Sequence, residues 1–172
     1  MRFYEIKKGN HSCSMSVFEK LGAIGWKITK MDLKFLFRSQ CWWAPPRNTD
    51  DLDLNKLAGI GFGPNHHNNS VRLAWVPDFD HQGVIKVYGY TYDEKNEGSK
   101  FEYLFIKSVN VLEPCTGKIE SRDGAYFLTV NGTMVQMANK KSDPNLCFRL
   151  YPYFGGNNTA PHDMTIELEM NT

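Results

Sequence analysis

Several function classes leave no trace in this sequence. No apolar run approaches the ~20 residues that a membrane-spanning helix needs. Basic charge is not gathered anywhere: 20 Lys and Arg stand against 19 Asp and Glu, for a formal net charge of +1. The longest basic runs are the pairs Lys7-Lys8 and Lys140-Lys141. A protein that grips a nucleic acid duplex normally concentrates its cations on one face, so neither a duplex nor a membrane is expected as a partner. The opening segment MRFYEIKKGNHSCS lacks the apolar core of a secretory signal. A cytoplasmic location in the producing cell is the expectation that follows. The four cysteines, Cys13, Cys41, Cys115 and Cys147, are widely spaced and form no CxxC, which makes them poor zinc ligands. Three disulfide pairings are open to them, but free thiols fit a chain without a secretion signal.

Nucleotide and hydrolase motifs are missing as well. GIGFGPN, Gly59–Asn65, has glycines at alternate positions, but a dinucleotide fingerprint needs G-x-G-x-x-G between a strand and a helix. No helix pattern follows it. There is no G-x-S-x-G, no Walker loop and no H-E-x-x-H. Helix signals are scarce in general. SMSVFEKLG offers one short helix, with Ser14 or Ser16 as cap and Gly22 as stop, and TDDLDLNKLAG a second helical turn with acids at its start. The stretch WWAPPRNTDD, residues 42–51, is the longest loop signal.

What the sequence has is alternation. KMDLKFLFRSQ places Met31, Leu33, Phe35 and Phe37 on one face. SVRLAWV sets Val71, Leu73 and Trp75 against Ser70, Arg72 and Ala74. VIKVYGYTY sets Tyr88, Tyr90 and Tyr92 against Val87, Gly89 and Thr91. FEYLFIKSV and CFRLYPYF are further apolar, aromatic strands. AYFLTVNGTMVQM reads as two strands around Asn131-Gly132, a strong hairpin signal. HDMTIELEM turns Met164, Ile166, Leu168 and Met170 inward. Hydrophobic residues make up 41% of the 172, enough for one domain with a good core. Many short strands joined by turns predict an all-β, two-sheet antiparallel jelly-roll β-sandwich over residues 1–172, with one or two short helical turns.

These blocks resemble a known family. MDLKFLF, the glycine-rich LAGIGFG, NSVRLAWV, the Tyr-bearing strand and GAYFLTVNGTMVQM together look like the concanavalin A-like jelly roll of laminin-G-type domains, legume lectins and several polysaccharide lyases and glucanases. NHHNNSVRLAW and YPYFGGNNTAPHDMTIEL also look similar to uncharacterised proteins of gut bacteria and their phages. The family's alginate-lyase-like members carry a strand with Arg and Glu, a Gln-x-His element and a Tyr-containing penultimate strand. Tyr151 and Tyr153 in RLYPYFGG resemble the last of these, and the first two have no match. Glucanase-like members carry a carboxylate strand, and Glu167-Leu168-Glu169 is only a distant counterpart. The resemblance therefore implies the fold and argues against catalysis; if the chain is an enzyme, it is a polysaccharide lyase or glycoside hydrolase.

The candidate ligand-binding residues are His66, His67, Arg72, Tyr88, Tyr90, Tyr151, Tyr153, Asn157 and His162. His66-His67 could bond a ligand; as adjacent residues without a third ligand at a usual spacing they make a poor metal site. Arg72 has the planar fork that grips a carboxylate or phosphate, or else it pairs with an acid across the strands. Tyr88 and Tyr90 share a strand face, as do Tyr151 and Tyr153, and would form one stripe if the strands were neighbours. Such rings stack on sugars or bases, or simply favour strands. His162 and Asp163 beside Pro161 read first as a turn. The expectation is a non-catalytic, lectin-like binder of a saccharide or other small molecule, without catalytic residues, metal or cofactor. The alternatives are a phage-encoded binder of a nucleotide or other phosphorylated molecule, and a structural virion or adhesion module. Homo-oligomerisation stays open.

Overall fold

The computed structural model describes residues 1–43, 53–63, 69–93, 99–137 and 145–172. Twelve strands in chain order are β1 (Arg2–Ile6), β2 (Ile24–Trp26), β3 (Lys30–Phe37), β4 (Asn55–Phe62), β5 (Asn69–Pro77), β6 (Val84–Asp93), β7 (Phe101–Asn110), β8 (Cys115–Arg122), β9 (Ala125–Val130), β10 (Thr133–Met137), β11 (Leu146–Leu150) and β12 (Met164–Asn171). They form two six-stranded sheets. Sheet A runs β1-β12-β3-β8-β9-β10 and sheet B runs β2-β11-β4-β5-β6-β7. The strand pairings are antiparallel throughout. The predicted β-sandwich is what the chain forms.

The alternation read from the sequence fixes the inner faces. Met31, Leu33, Phe35 and Phe37 of β3 and Met164, Ile166 and Leu168 of β12 are buried from sheet A. Val71, Leu73 and Trp75 of β5 meet them from sheet B, with Phe37 and Trp75 rings 5.1 Å apart. Asn131 and Gly132 both take positive φ, 44° and 81°. A two-residue hairpin requires that backbone, and Asn-Gly tolerates it. All four cysteines are buried free thiols. Burial pushes the Cys13 and Cys41 thiols up to about 12, which leaves them unreactive.

The one α-helix among the described residues, α1 (Val17–Gly22), starts at the expected Ser16. Glu19 closes a capping box there: Ser16 Oγ accepts from the Glu19 N–H, and the Glu19 carboxylate accepts from the Ser16 N–H. The second expected helical turn is corrected. From Asn55 onward the chain is strand β4, because Leu57, Ala58, Ile60 and Phe62 all have buried sites to fill opposite β5 and β11. The acids at its start lie largely outside the described residues, as does most of the Pro45-Pro46 loop.

Candidate active site

Sheet B turns its second face away from sheet A, and strand register puts the chemistry there. Arg72 on β5 lies between Gly59 on β4 and Tyr90 on β6. The next row holds Lys56, Ala74, Tyr88 and Phe105, and the row on the other side holds Gly61, Ser70, Tyr92 and Phe101. Arg72 is only 6% exposed although it faces away from the core. Gly59 makes room for it: a β-carbon at that position would come within 2.7 Å of Arg72 Cγ. The alternating glycines of GIGFG thus let an arginine lie flat across β4. Its strand neighbours are a glycine and a tyrosine rather than the acid that a cross-strand pair would need, and its Nε donates to Ser70 Oγ at 3.1 Å.

The segment after β11 supplies the other wall. Tyr153 and Lys56 exchange two backbone hydrogen bonds of 2.9 and 2.8 Å, so their side chains emerge side by side. His11 stacks on the Tyr153 ring at 5.3 Å, and its Nδ1 lies 3.0 Å from the Phe154 carbonyl oxygen. Gly155 takes φ 57° and donates its N–H to Asn55 Oδ1, which turns the chain over the sheet. Asn157 then donates its N–H to Asp53 Oδ2 at 3.3 Å.

Lys56 Nζ donates to the carbonyl of Leu54 at 2.6 Å and approaches that of Gly155 at 3.5 Å. It sits 4.9 Å from the centre of the Tyr90 ring. Burial, reinforced by the Arg72 charge and opposed by Asp53, pulls the Lys56 ammonium down to about 8. Burial likewise lowers the Arg72 guanidinium to about 10, which leaves it a cation at neutral pH. The Tyr90 phenol is raised to about 12 by burial, although Arg72 works against that.

Cavities flank this cluster on both sides. A groove of about 900 Å³ is lined by Lys56, Tyr88, Tyr90, Tyr92, Phe101 and Tyr103, with Asp53 and Asn157 on its rim. A smaller one of about 360 Å³ is lined by Arg72, Tyr153, Tyr151, Phe148 and Ile24. A path over the two crosses the strands of sheet B from β2 to β7.

The expected residues fare unevenly. Arg72, Tyr88, Tyr90, Tyr153 and Asn157 come together on this face. Tyr151 does not join a stripe with Tyr88 and Tyr90. Strands β4 and β5 separate β11 from β6, and the Tyr151 ring packs 5.6 Å from that of Tyr4. His162 is held elsewhere, with Nε2 2.7 Å from the Gln40 carbonyl oxygen and its ring against Trp43. Its neighbour Asp163 accepts from the Lys8 N–H at 2.8 Å, which ties the turn to the end of β1. His66 and His67 lie outside the described residues. Among the described residues, no group of three His, Cys, Asp or Glu is placed to hold a metal. Lys56 was missed from sequence because its segment reads as helical.

No protein-family model and no curated protein matches the chain. Solved structures do. An alginate lyase from Klebsiella pneumoniae is similar with a TM-score of 0.59 at 9% identity, over 83% of this chain and 59% of that one. An alginate lyase from Pseudomonas aeruginosa gives 0.53 at 14%, over 83% and 64%. The fold is the concanavalin A-like jelly roll. A marine PL7 alginate lyase from Zobellia galactanivorans shares the jelly roll at 0.53 and 12%, over 87% and 62%. The chain spans less than two thirds of the length of each of these three. The expectation of a non-catalytic, lectin-like binder is overturned here: the jelly rolls it is similar to are alginate lyases.

Proposed function

We propose that this chain is a polysaccharide lyase that cleaves a uronate-containing polysaccharide by β-elimination across the outer face of sheet B. The observation that carries the proposal is the junction of Tyr153, Arg72, Tyr90 and Lys56 between two grooves. β-Elimination has three needs. The carboxylate next to the reacting carbon must be neutralised, the proton on that carbon must be removed, and the departing glycosidic oxygen must receive a proton. A buried guanidinium meets the first, because it is charged, planar and held away from water. The Tyr153 phenol meets the third. Tyr153 also lies just beyond the penultimate strand β11, close to where alginate-lyase-like members carry a tyrosine within theirs. The tyrosines and phenylalanines of the larger groove give sugar rings apolar faces to lie on. The Arg-Glu strand and the Gln-x-His element of those members are absent, so the resemblance assigns no group to the second need.

The test is to incubate the purified chain with alginate and other polyuronates and follow the ultraviolet absorbance of the new carbon–carbon double bond. Tyr153→Phe should lower turnover by about 10²–10⁴, the usual worth of a positioned acid or base, without changing the melting temperature. Absence of unsaturated product from every polyuronate tried would refute the proposal, and so would a fully active Tyr153→Phe.

A further inference from the structure

The unassigned proton-abstracting group has a candidate in the same cluster, and this inference rests on the lyase reading. We infer that Lys56, side by side with Tyr153 on the floor between the two grooves, is the base that removes the proton α to the substrate carboxylate. Three features of its setting point there. Its amine lines the larger groove while its backbone is locked to that of Tyr153, so base and acid are held a fixed distance apart. The Leu54 and Gly155 carbonyls lie at 2.6 and 3.5 Å and can take the two N–H groups of a neutral amine. That leaves one lone pair for a substrate proton. Finally, a cation already adjoins it in Arg72, so a second positive charge in this buried spot is disfavoured, and neutral lysine is within reach near pH 8.

The step balances with these groups alone. The Lys56 lone pair takes the α-proton, and the electrons of that carbon–hydrogen bond move onto the carboxylate, which Arg72 stabilises. They return to form the carbon–carbon double bond as the β carbon–oxygen bond breaks. Tyr153 gives its proton to the leaving oxygen. Proton transfer from the Lys56 ammonium, directly or through water, restores the phenol.

The groups that face Lys56 are Asp53 before β4, Arg72 on β5, Tyr88 and Tyr90 on β6, and Tyr153 after β11. Arg72 stays charged across neutral pH, and burial holds the Tyr90 phenol neutral to about 12. Lysine is then the group that titrates near 8, and kcat/KM should rise with pH through that region as it loses its proton.

The experiment compares the wild type with Lys56→Arg and Lys56→Ala, each checked for an unchanged melting temperature. Arginine keeps the charge but cannot act as a base. Both variants should lose about 10²-fold or more in kcat, with KM for the polyuronate little changed in Lys56→Arg. Added ethylamine should restore part of the Lys56→Ala rate, with a pH dependence that follows the added amine. A Lys56→Arg enzyme with wild-type kcat and pH profile would overturn the inference and leave the lyase reading intact. An inactive wild type would overturn both. Were the variants to unfold, the wild-type profile would decide: a kcat/KM flat across the region near 8 excludes Lys56 as base.

Discussion

Replacing Gly59 with alanine tests the packing that aims Arg72. A β-carbon there would press on the Val71 carbonyl oxygen, well inside van der Waals contact, with Arg72 Cγ at 2.7 Å and Arg72 Cα at 2.9 Å. Two of those three atoms are main chain of a paired strand with little freedom to retreat. Relief therefore requires β4 and β5 to shift and the guanidinium to lift off the sheet. Overpacking of this kind costs about 1–3 kcal/mol. For a chain of this length each kcal/mol lowers the melting temperature by about 2–4 °C, so calorimetry should show a fall of about 2–12 °C. A displacement of ~1 Å at a positioning group can cost of the order of 10² in rate. The lyase activity of Gly59→Ala should therefore fall further than its stability alone explains, when both are measured well below the melting temperature. A variant with an unchanged melting temperature and full turnover would show that Arg72 does not depend on the bare backbone beneath it.

Other perturbations check other parts of the molecule. Leu128→Ala empties a fully buried site beneath Gly89 and should lower the urea-unfolding free energy by about 2–5 kcal/mol without altering the outer face of sheet B. Glu19 is held down at about 2, by the Ser16 N–H above all and by Ser16, Tyr4 and Arg2 side chains, against the opposing effect of burial. Its depressed value stabilises the fold above the ordinary carboxylate range, near ~4.3, and that stabilisation is lost as pH falls toward 2. Glu19→Gln should thus lower the urea midpoint at neutral pH and flatten its decline between about pH 4.5 and 2.

Much of the sandwich was legible because period-two burial is a property of neighbouring residues. Met31 to Phe37 and Met164 to Leu168 could be sided without knowing their partners, and so could the Asn131-Gly132 hairpin. Strand β4 was not legible, since Leu57, Ala58, Ile60 and Phe62 are all buried and NKLAG lacks alternation. The cost was Lys56, whose setting is made in large part by Arg72, Tyr90 and Tyr153, far along the chain. Arg72 was singled out because a charge among apolar neighbours is unusual at any location. The glycines facing it carried a readable signal: alternate glycines inside a strand mark a close approach by another group. The stripe of tyrosines failed for a different reason. Strand order within a sheet depends on long-range pairing, and local sequence does not say that two strands separate β11 from β6.

Strand β12 lies between β1 and β3 in sheet A. Strands β1 and β3 therefore wait for β12, and more than 120 residues must be made after β3 before it gains that neighbour. Until then the inner faces of Met31, Leu33, Phe35 and Phe37 have one uncovered flank. Such long-range closure is slow and leaves apolar edges open to other chains. Production of this protein should be limited by that waiting time, and a chain cut before Met164 should accumulate as aggregate rather than as a smaller sandwich.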